Sequence, residues 1–237
     1  MNHFMKAGIA LLLVLVAGAA TAQGKGQKMR VVLQEDSAAG PSDTVNLVRN
    51  SIKINPLLWL RGEVPIYYER AITHRVSLVL AVGITTRNTV GLGLSHEPVD
   101  AYSAGTKVIM KPAFHAGLRY YLTKDMEAQG FYVQGEFVYL DHSKDITLKD
   151  ARGRFTDRTL CDQSIYRDQR LYVGYQHLAS TSNWLFDAYA GLGLRSRELY
   201  QVNEHMNLND GVWSYTQTEV NDQVIAYFLG VKVGYGF

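Results

Sequence analysis

The chain has 237 residues, 47% of them hydrophobic, and a formal net charge of +2. Its charge balance is uninformative about nucleic acid, and because no basic cluster is interleaved with aromatics, we expect no nucleic-acid partner. The single cysteine, Cys161, excludes an intrachain disulfide framework and any zinc site built from cysteines.

The first 22 residues have the layout of a secretory signal peptide. One lysine, Lys6, precedes an apolar run centred on GIALLLVLV, and the run ends on AATA, an A-x-A-like cleavage site before Gln23. The run is short for a membrane-spanning helix, and a retained anchor is the alternative interpretation. No cysteine follows it, so there is no lipoprotein acylation site. We therefore predict a signal peptide over 1–22, followed by a flexible periplasmic lead over 23–50.

After Asn50 the sequence alternates between apolar and polar residues, which predicts β-strands. The predicted strands, eight in all, are SIKINPLLWLR (51–61), EVPIYYER (63–70), VSLVLAVGI (76–84), MKPAFHAGLRYYL (110–122), GFYVQGEFVYL (130–140), RLYVGYQ (170–176), WLFDAYAGLGLRSR (184–197) and VIAYFLGVKVGYGF (224–237). In the first strand the alternation assigns Pro56, Leu58 and Leu60 to the apolar face. No segment has a helical period of useful length.

The composition of the opposite face separates two all-β architectures. A soluble sandwich or barrel turns its apolar face inward, whereas a transmembrane barrel turns it to lipid and lines its lumen with polar residues. The second face here is mostly Gly and Ala with isolated charges, which suits the narrow interior of a closed barrel. The predicted polar network of the lumen comprises Lys53, Glu69, Lys111, Arg119, Glu136, Arg170, Asp187, Arg195 and Lys232. We therefore predict an eight-stranded antiparallel transmembrane β-barrel over 51–237.

The connections between the predicted strands alternate in length. Three are short (72–75, 123–129 and 180–183), three are long and polar (87–107, 142–163 and 200–221), and the first, at Arg61–Gly62, is a tight turn. Outer-membrane barrels have short periplasmic turns and longer external loops. This pattern places both termini in the periplasm and predicts the cell outer membrane as the location.

The alternating last strand that ends in Phe237 resembles the final strand of small outer-membrane β-barrel proteins of Gram-negative bacteria. The stretch IKINPLLWLRGEVPIYYERAITHRVSLVLAVGI (52–84) is similar to the first strands of barrels of this OmpA/OmpX-like, eight-stranded kind from Bacteroidota. The resemblance covers about 51–237. It implies that Tyr235 and Phe237 form a signal for the barrel assembly machinery, and it brings no catalytic residues.

Three features bear on function. His142, beside Ser143, and His177 invite comparison with barrel-type lipid A deacylases, but neither fits their H-x-S-N signature. The stretch 149–162 mixes Arg152, Arg154 and Arg158 with aspartates, which predicts a solvated loop or a contact for lipopolysaccharide. We interpret Cys161 as an incidental thiol. Metal-ligand spacing is absent, and we expect no cofactor.

The function that these features favour is non-enzymatic. We expect a surface or structural barrel whose external loops contact partners or lipopolysaccharide, and eight strands leave no room for a wide channel. Two alternatives stay open, a lipid A-modifying, deacylase-like enzyme and a narrow channel for small solutes.

Overall fold

A computed structural model describes residues 48–89, 104–123, 128–150, 152–179, 182–206 and 213–237. The predicted signal peptide and residues 23–47 of the predicted lead lie outside the described residues. Within these ranges no helix is both long enough and apolar enough to cross a membrane.

The described chain is almost entirely β-strand. In chain order the elements are β1 (Asn50–Ile54), α1 (Pro56–Leu60), β2 (Glu63–Ala71), β3 (Val76–Thr85), β4 (Thr106–Ile109), β5 (Lys111–Tyr121), β6 (Gly130–Lys149), β7 (Phe155–Leu178), β8 (Trp184–Met206) and β9 (Trp213–Gly236).

The strands form one antiparallel sheet that closes on itself in a ring. Neighbours along the chain pair in the order β1, β2, β3, β5, β6, β7, β8, β9, and β9 then pairs with β1. The closing contact is short, from Ser51 opposite Gly236 to Ile54 opposite Val233. Two backbone bonds between Asn50 and Phe237, of 3.0 and 2.8 Å, extend it by one residue pair.

The sheet has nine strands where the alternation predicted eight. The additional strand, β4, lies end to end with β5 against the outer part of β6, with Met110 between them. Eight strands therefore complete the ring, and β4 continues the line of β5 along β6.

The first predicted strand, 51–61, is wrong beyond Ile54, because Pro56–Leu60 forms the short helix α1. Pro56 cannot donate a ladder hydrogen bond, and its fixed φ suits the first turn of a helix. Leu58 was predicted to face outward, yet it is buried against Tyr67, Val79 and Ala81. The chain then reverses through Gly62, whose φ of 75° favours glycine.

The strands differ greatly in length around the ring. β2 and β3 have 9 and 10 residues, whereas β6 to β9 have 20 to 24. Much of the predicted long loops 142–163 and 200–221 is therefore strand. Polar residues occur on both faces of the strand segments that replace these loops, so no continuous apolar period marks them in the sequence. We call the end of the ring at which β2 ends at Ala71, β5 at Tyr121 and β7 at Leu178 the short-turn end, and the opposite end the long-hairpin end.

Side chains alternate between the two faces of the ring along each strand. In β8, Leu192 and Leu194 are 53% and 57% exposed, whereas Arg195 is completely buried. The apolar side chains thus point out of the ring and the charged ones point into it.

Candidate functional site

The ring interior is filled by charged and tyrosine side chains in layers. The layer nearest the short-turn end contains Lys53 of β1, Glu69 of β2, Arg119 of β5 and Asp187 of β8. Arg119 lies 2.8 Å from Asp187 and 3.3 Å from Glu69, and Lys53 lies 3.5 Å from Asp187 and in direct contact with Glu69. Two cations and two carboxylates from four strands therefore neutralise one another in the buried interior.

Neutral groups complete the hydrogen bonds of this layer. The Tyr121 hydroxyl donates to Glu69 at 2.7 Å, and the Tyr132 hydroxyl donates to Asp187 at 2.5 Å. The Arg119 guanidinium lies 3.7 Å from the Tyr132 ring centroid, and its Nε donates to Gln134 at 2.8 Å. Buried charges with such partners hold a fixed geometry.

The middle layer surrounds Lys232 of β9. Its ammonium lies 4.0 Å from the Tyr67 ring centroid and 4.9 Å from that of Tyr189, within cation–π range. Beside it, His115 Nδ1 lies 2.8 Å from a Glu136 carboxylate oxygen. A single Lys, a His and a Glu thus occupy this level between aromatic rings.

The layer nearest the long-hairpin end is organised around Asp168 and Phe228. Asp168 accepts hydrogen bonds from the Nε atoms of Arg170 and Arg195, at 2.9 and 2.8 Å. Both guanidiniums lie over the Phe228 ring, at 4.1 and 5.4 Å from its centroid. At the edge of this layer Arg61 lies 3.6 Å from Glu63.

The structure brings eight of the nine predicted network residues into the buried interior, and Lys111 is the exception. Lys111 is only half-buried because it follows the break between β4 and β5, where two β6 residues oppose three of the β4–β5 segment. The register of β5 with β3 continues without a shift to Lys111, the first residue of β5.

Several interior residues were not in the predicted network: Arg61, Glu63, Tyr67, His115, Tyr121, Tyr132, Asp168, Tyr172 and Tyr189. Asp168 could have been found, since it lies two residues before Arg170 on the same strand face. The tyrosines could not be assigned by polarity, because a tyrosine suits either face.

The buried side chains of these three layers occupy the ring interior. A cavity of about 10 Å³, enough for roughly one water, lies at the short-turn end beside Ser51, Glu69 and Gln176. In the part of the chain that the structure describes, no group of three or more His, Cys, Asp or Glu side chains could hold a metal ion. The arrangement neutralises charge and occupies the interior.

The outer surface of the ring carries an apolar belt, with exposed side chains on all eight strands. Members of this belt are Ile52, Ile66, Val82, Phe114, Leu118, Phe131, Phe137, Leu171, Val173, Phe186, Leu192, Leu194, Ile225, Tyr227 and Leu229. Isolated exposed apolar residues are normal, but a continuous belt of this size marks a surface that is covered in the native environment.

The belt ends at the same level on neighbouring strands. Leu194 of β8 lies opposite Ile225 of β9, and the next outward rung is polar, with Ser196 between Arg167 and Gln223. Gln223 donates to Ser196 at 3.3 Å, and Arg167 forms an ion pair with Glu198. The polarity of the outer face therefore changes within one rung.

Aromatic side chains gather on the outer face at the short-turn end. Trp184 and Tyr235 pack edge to face at 6.1 Å, and Phe131 and Tyr175 lie 4.9 Å apart. Phe237 is exposed next to this group. The residues proposed as an assembly signal, Tyr235 and Phe237, thus lie on the outer surface of the closing strand.

The two histidines compared with lipid A deacylases lie at opposite ends of the ring. His142 Nδ1 lies 3.3 Å from the Thr86 carbonyl oxygen, and its ring packs on Tyr166 at 5.9 Å. His177 is exposed near the short-turn end. Neither has a hydrogen bond to a serine among the residues that the structure describes.

The predicted loop 149–162 is wrong for residues 155–162, which belong to β7; only the residues between Lys149 and Phe155 connect β6 to β7. Arg152 and Arg158 are exposed, and Arg154 forms an ion pair with Asp150 at 3.1 Å. Cys161 is exposed on β7 and lies opposite Asp145 of β6. It is two residues nearer the tip of the hairpin than Gln163.

Comparisons of the chain with protein-family models, with curated proteins and with solved structures find no match. The likeness of the sequence to outer-membrane barrels therefore stays a prediction.

Proposed function

We propose that residues 51–237 form an eight-stranded outer-membrane β-barrel, exported by the signal peptide over 1–22. In this proposal the apolar belt contacts the hydrocarbon of the bilayer and the charged interior is a closed lumen. The short-turn end faces the periplasm and the long hairpins face outward.

The observation that carries the proposal is the inverted distribution of polarity. Arg119, Arg195, Lys53 and Lys232 are at most 2% exposed, while Val82, Leu118 and Phe131 are 58–62% exposed. In water such a surface would be costly, whereas in a bilayer an apolar exterior with every backbone group bonded in a closed sheet is the favourable arrangement.

The dimensions of the belt also support a membrane. On β8 it runs from Trp184 to Leu194 before the polar rung at Ser196. That length matches the roughly 9–11 residues of a tilted transmembrane strand. Tryptophan and tyrosine at the short-turn end suit the lipid–water interface.

The filled lumen favours a surface function over conduction. The long hairpins are tied to one another, since Lys149 lies 2.8 Å from Glu204 and 4.2 Å from the Trp213 ring centroid. The Lys149 backbone N–H also donates to the Tyr215 hydroxyl at 2.8 Å. We therefore propose that these hairpins form an ordered external platform that contacts partners or lipopolysaccharide without catalysis. Tyr235 and Phe237 would engage the assembly machinery.

Folding into lipid vesicles tests the proposal. The chain from residue 23 onward, purified unfolded and diluted into vesicles, should become resistant to protease and should migrate differently on gels before and after boiling. In cells the chain should fractionate with outer membranes and resist urea washing. Recovery as a folded, monodisperse protein without lipid or detergent would contradict the proposal.

A further inference from the structure

The turn between β2 and β3 concentrates basic side chains at the short-turn end of the ring. Arg70 lies on the outer face of β2, and His74 and Arg75 lie in the turn that follows. We call these three residues the basic turn. Exposed Ile72 lies within the same turn, and exposed Leu118 lies on the same rung as Arg70, with Leu78 of β3 between them.

Hydrogen bonds hold the basic turn in a defined shape. The Ile72 N–H donates to the Val76 carbonyl at 2.8 Å, and the Thr73 hydroxyl accepts from the N–H groups of Arg75 and Val76 at 3.2 and 3.0 Å. The Arg75 guanidinium donates to the Tyr120 hydroxyl at 2.9 Å. Arg75 is therefore anchored beside a tyrosine of the outer surface.

The charges of the basic turn have no acidic partner in the part of the chain that the structure describes. The side chains of Arg70 and His74 form no hydrogen bond or ion pair there, and the Arg75 guanidinium is bonded to a neutral phenol. The opposite boundary of the belt differs, because its outward arginine, Arg167, is paired with Glu198. At the short-turn end the outward arginine Arg70 thus lacks the carboxylate partner that Arg167 has at the other boundary.

We propose that the basic turn binds the phosphate-bearing headgroup of an anionic phospholipid, with the acyl chains lying along Ile72, Leu118 and the adjoining belt. This inference rests on the proposed membrane insertion. Guanidinium groups form charge-assisted hydrogen bonds with phosphate oxygens, and basic residues at a membrane surface favour anionic lipids. A lipid is favoured over free phosphate because the charges adjoin exposed apolar surface rather than an enclosed polar pocket.

Native mass spectrometry of the folded chain tests the lipid preference. The protein is released from micelles that contain equal amounts of phosphatidylglycerol and phosphatidylethanolamine, and the retained lipids are counted. We expect several-fold preferential retention of phosphatidylglycerol, which the double variant Arg70→Gln/Arg75→Gln loses. The matched control Arg152→Gln/Arg158→Gln removes the same charge at the long-hairpin end and should keep the preference.

The outcomes separate this inference from the proposed function. Equal retention of both lipids by the unaltered chain, or equal loss in the control variant, would overturn the inference while the folded, heat-modifiable form still supports insertion. Displacement of phosphatidylglycerol by excess inorganic phosphate would show a general phosphate site and overturn the commitment to lipid. A chain that never inserts would overturn the proposed function and this inference together.

Discussion

Arg119 of β5 and Asp187 of β8 meet 2.8 Å apart inside the ring, although their strands are not neighbours in the sheet. The contact therefore depends on ring closure and not on local pairing. Asp187 also lies 3.5 Å from Lys53 of β1, so its carboxylate links β8 to both β5 and β1.

Asp187→Asn should destabilise the fold strongly. The change leaves Arg119 and Lys53 buried with less opposing charge, and removing one member of a buried ionic group costs about 3–5 kcal/mol. Urea unfolding in lipid vesicles, followed by tryptophan fluorescence, measures the loss. The exposed Asp157→Asn is the control and should change stability by less than about 0.5 kcal/mol. Wild-type stability of Asp187→Asn would show that the network does not support closure.

Leu192→Arg tests which face contacts lipid. Leu192 is 53% exposed in the middle of the belt, where an arginine costs about 2–4 kcal/mol in a bilayer. Ser196→Arg lies on the same strand and face but in the polar rung, where the cost falls to about 0–1 kcal/mol. The same unfolding titration compares the two, and equal costs would mean that the belt does not lie in hydrocarbon.

Gly230→Ala tests the packing of the tyrosines in the interior. A Cβ at Gly230 would lie 2.4 Å from the Tyr189 hydroxyl, which accepts a hydrogen bond from Asn55 at 2.8 Å. Displacing that ring should cost about 1–3 kcal/mol, as overpacking generally does. Gly135→Ala is the matched control, because a Cβ there meets nothing within 4 Å. A similar loss of melting temperature in both variants would exclude the packing explanation.

Leu58→Ala tests the helix that replaces the predicted end of the first strand. Leu58 is 2% exposed, so truncation opens a cavity beside Tyr67 and should cost about 2–5 kcal/mol. Leu60→Ala, on the same helix but 51% exposed, opens no cavity and should cost clearly less. The reverse order of stabilities would place α1 differently against the ring.

Much of the part of each strand nearer the short-turn end could be predicted from the sequence. One face of that part is apolar, and the other carries small or charged residues. The inward positions of Lys53, Asp187 and Arg195 follow from that period of two. The parts of β7 and β9 nearer the long-hairpin end could not be predicted, since Thr, Gln, Asp and Tyr occur on both of their faces.

Two other features escaped prediction for local reasons. The alternation continues across Pro56 by coincidence, while the missing N–H of proline ends the ladder and begins α1. Which charges meet also could not be read from the sequence, because the contact of Arg119 with Asp187 spans the ring and is set by closure. The alternation of apolar and polar residues predicts which face of the sheet a side chain lies on. Its ion-pair partner depends on the register of all the strands in the ring.

Labelling of Cys161 tests the orientation of the ring. Cys161 is the single cysteine and is exposed beyond the polar rung toward the long hairpins. A membrane-impermeant maleimide should therefore label it on intact cells. A chain that carries Cys161→Ser and His74→Cys places the thiol at the short-turn end instead, and it should be labelled only after the outer membrane is permeabilised.

The pH dependence of the same labelling checks the surroundings of this thiol. Partial burial raises the pKa of Cys161 above its ordinary value of 9.0. A raised pKa favours the unreactive protonated form, so labelling should accelerate with pH and reach its half-maximal rate above pH 9.0. Rapid labelling with a midpoint below that value would mean a more solvated thiol, and labelling only in permeabilised cells would invert the orientation.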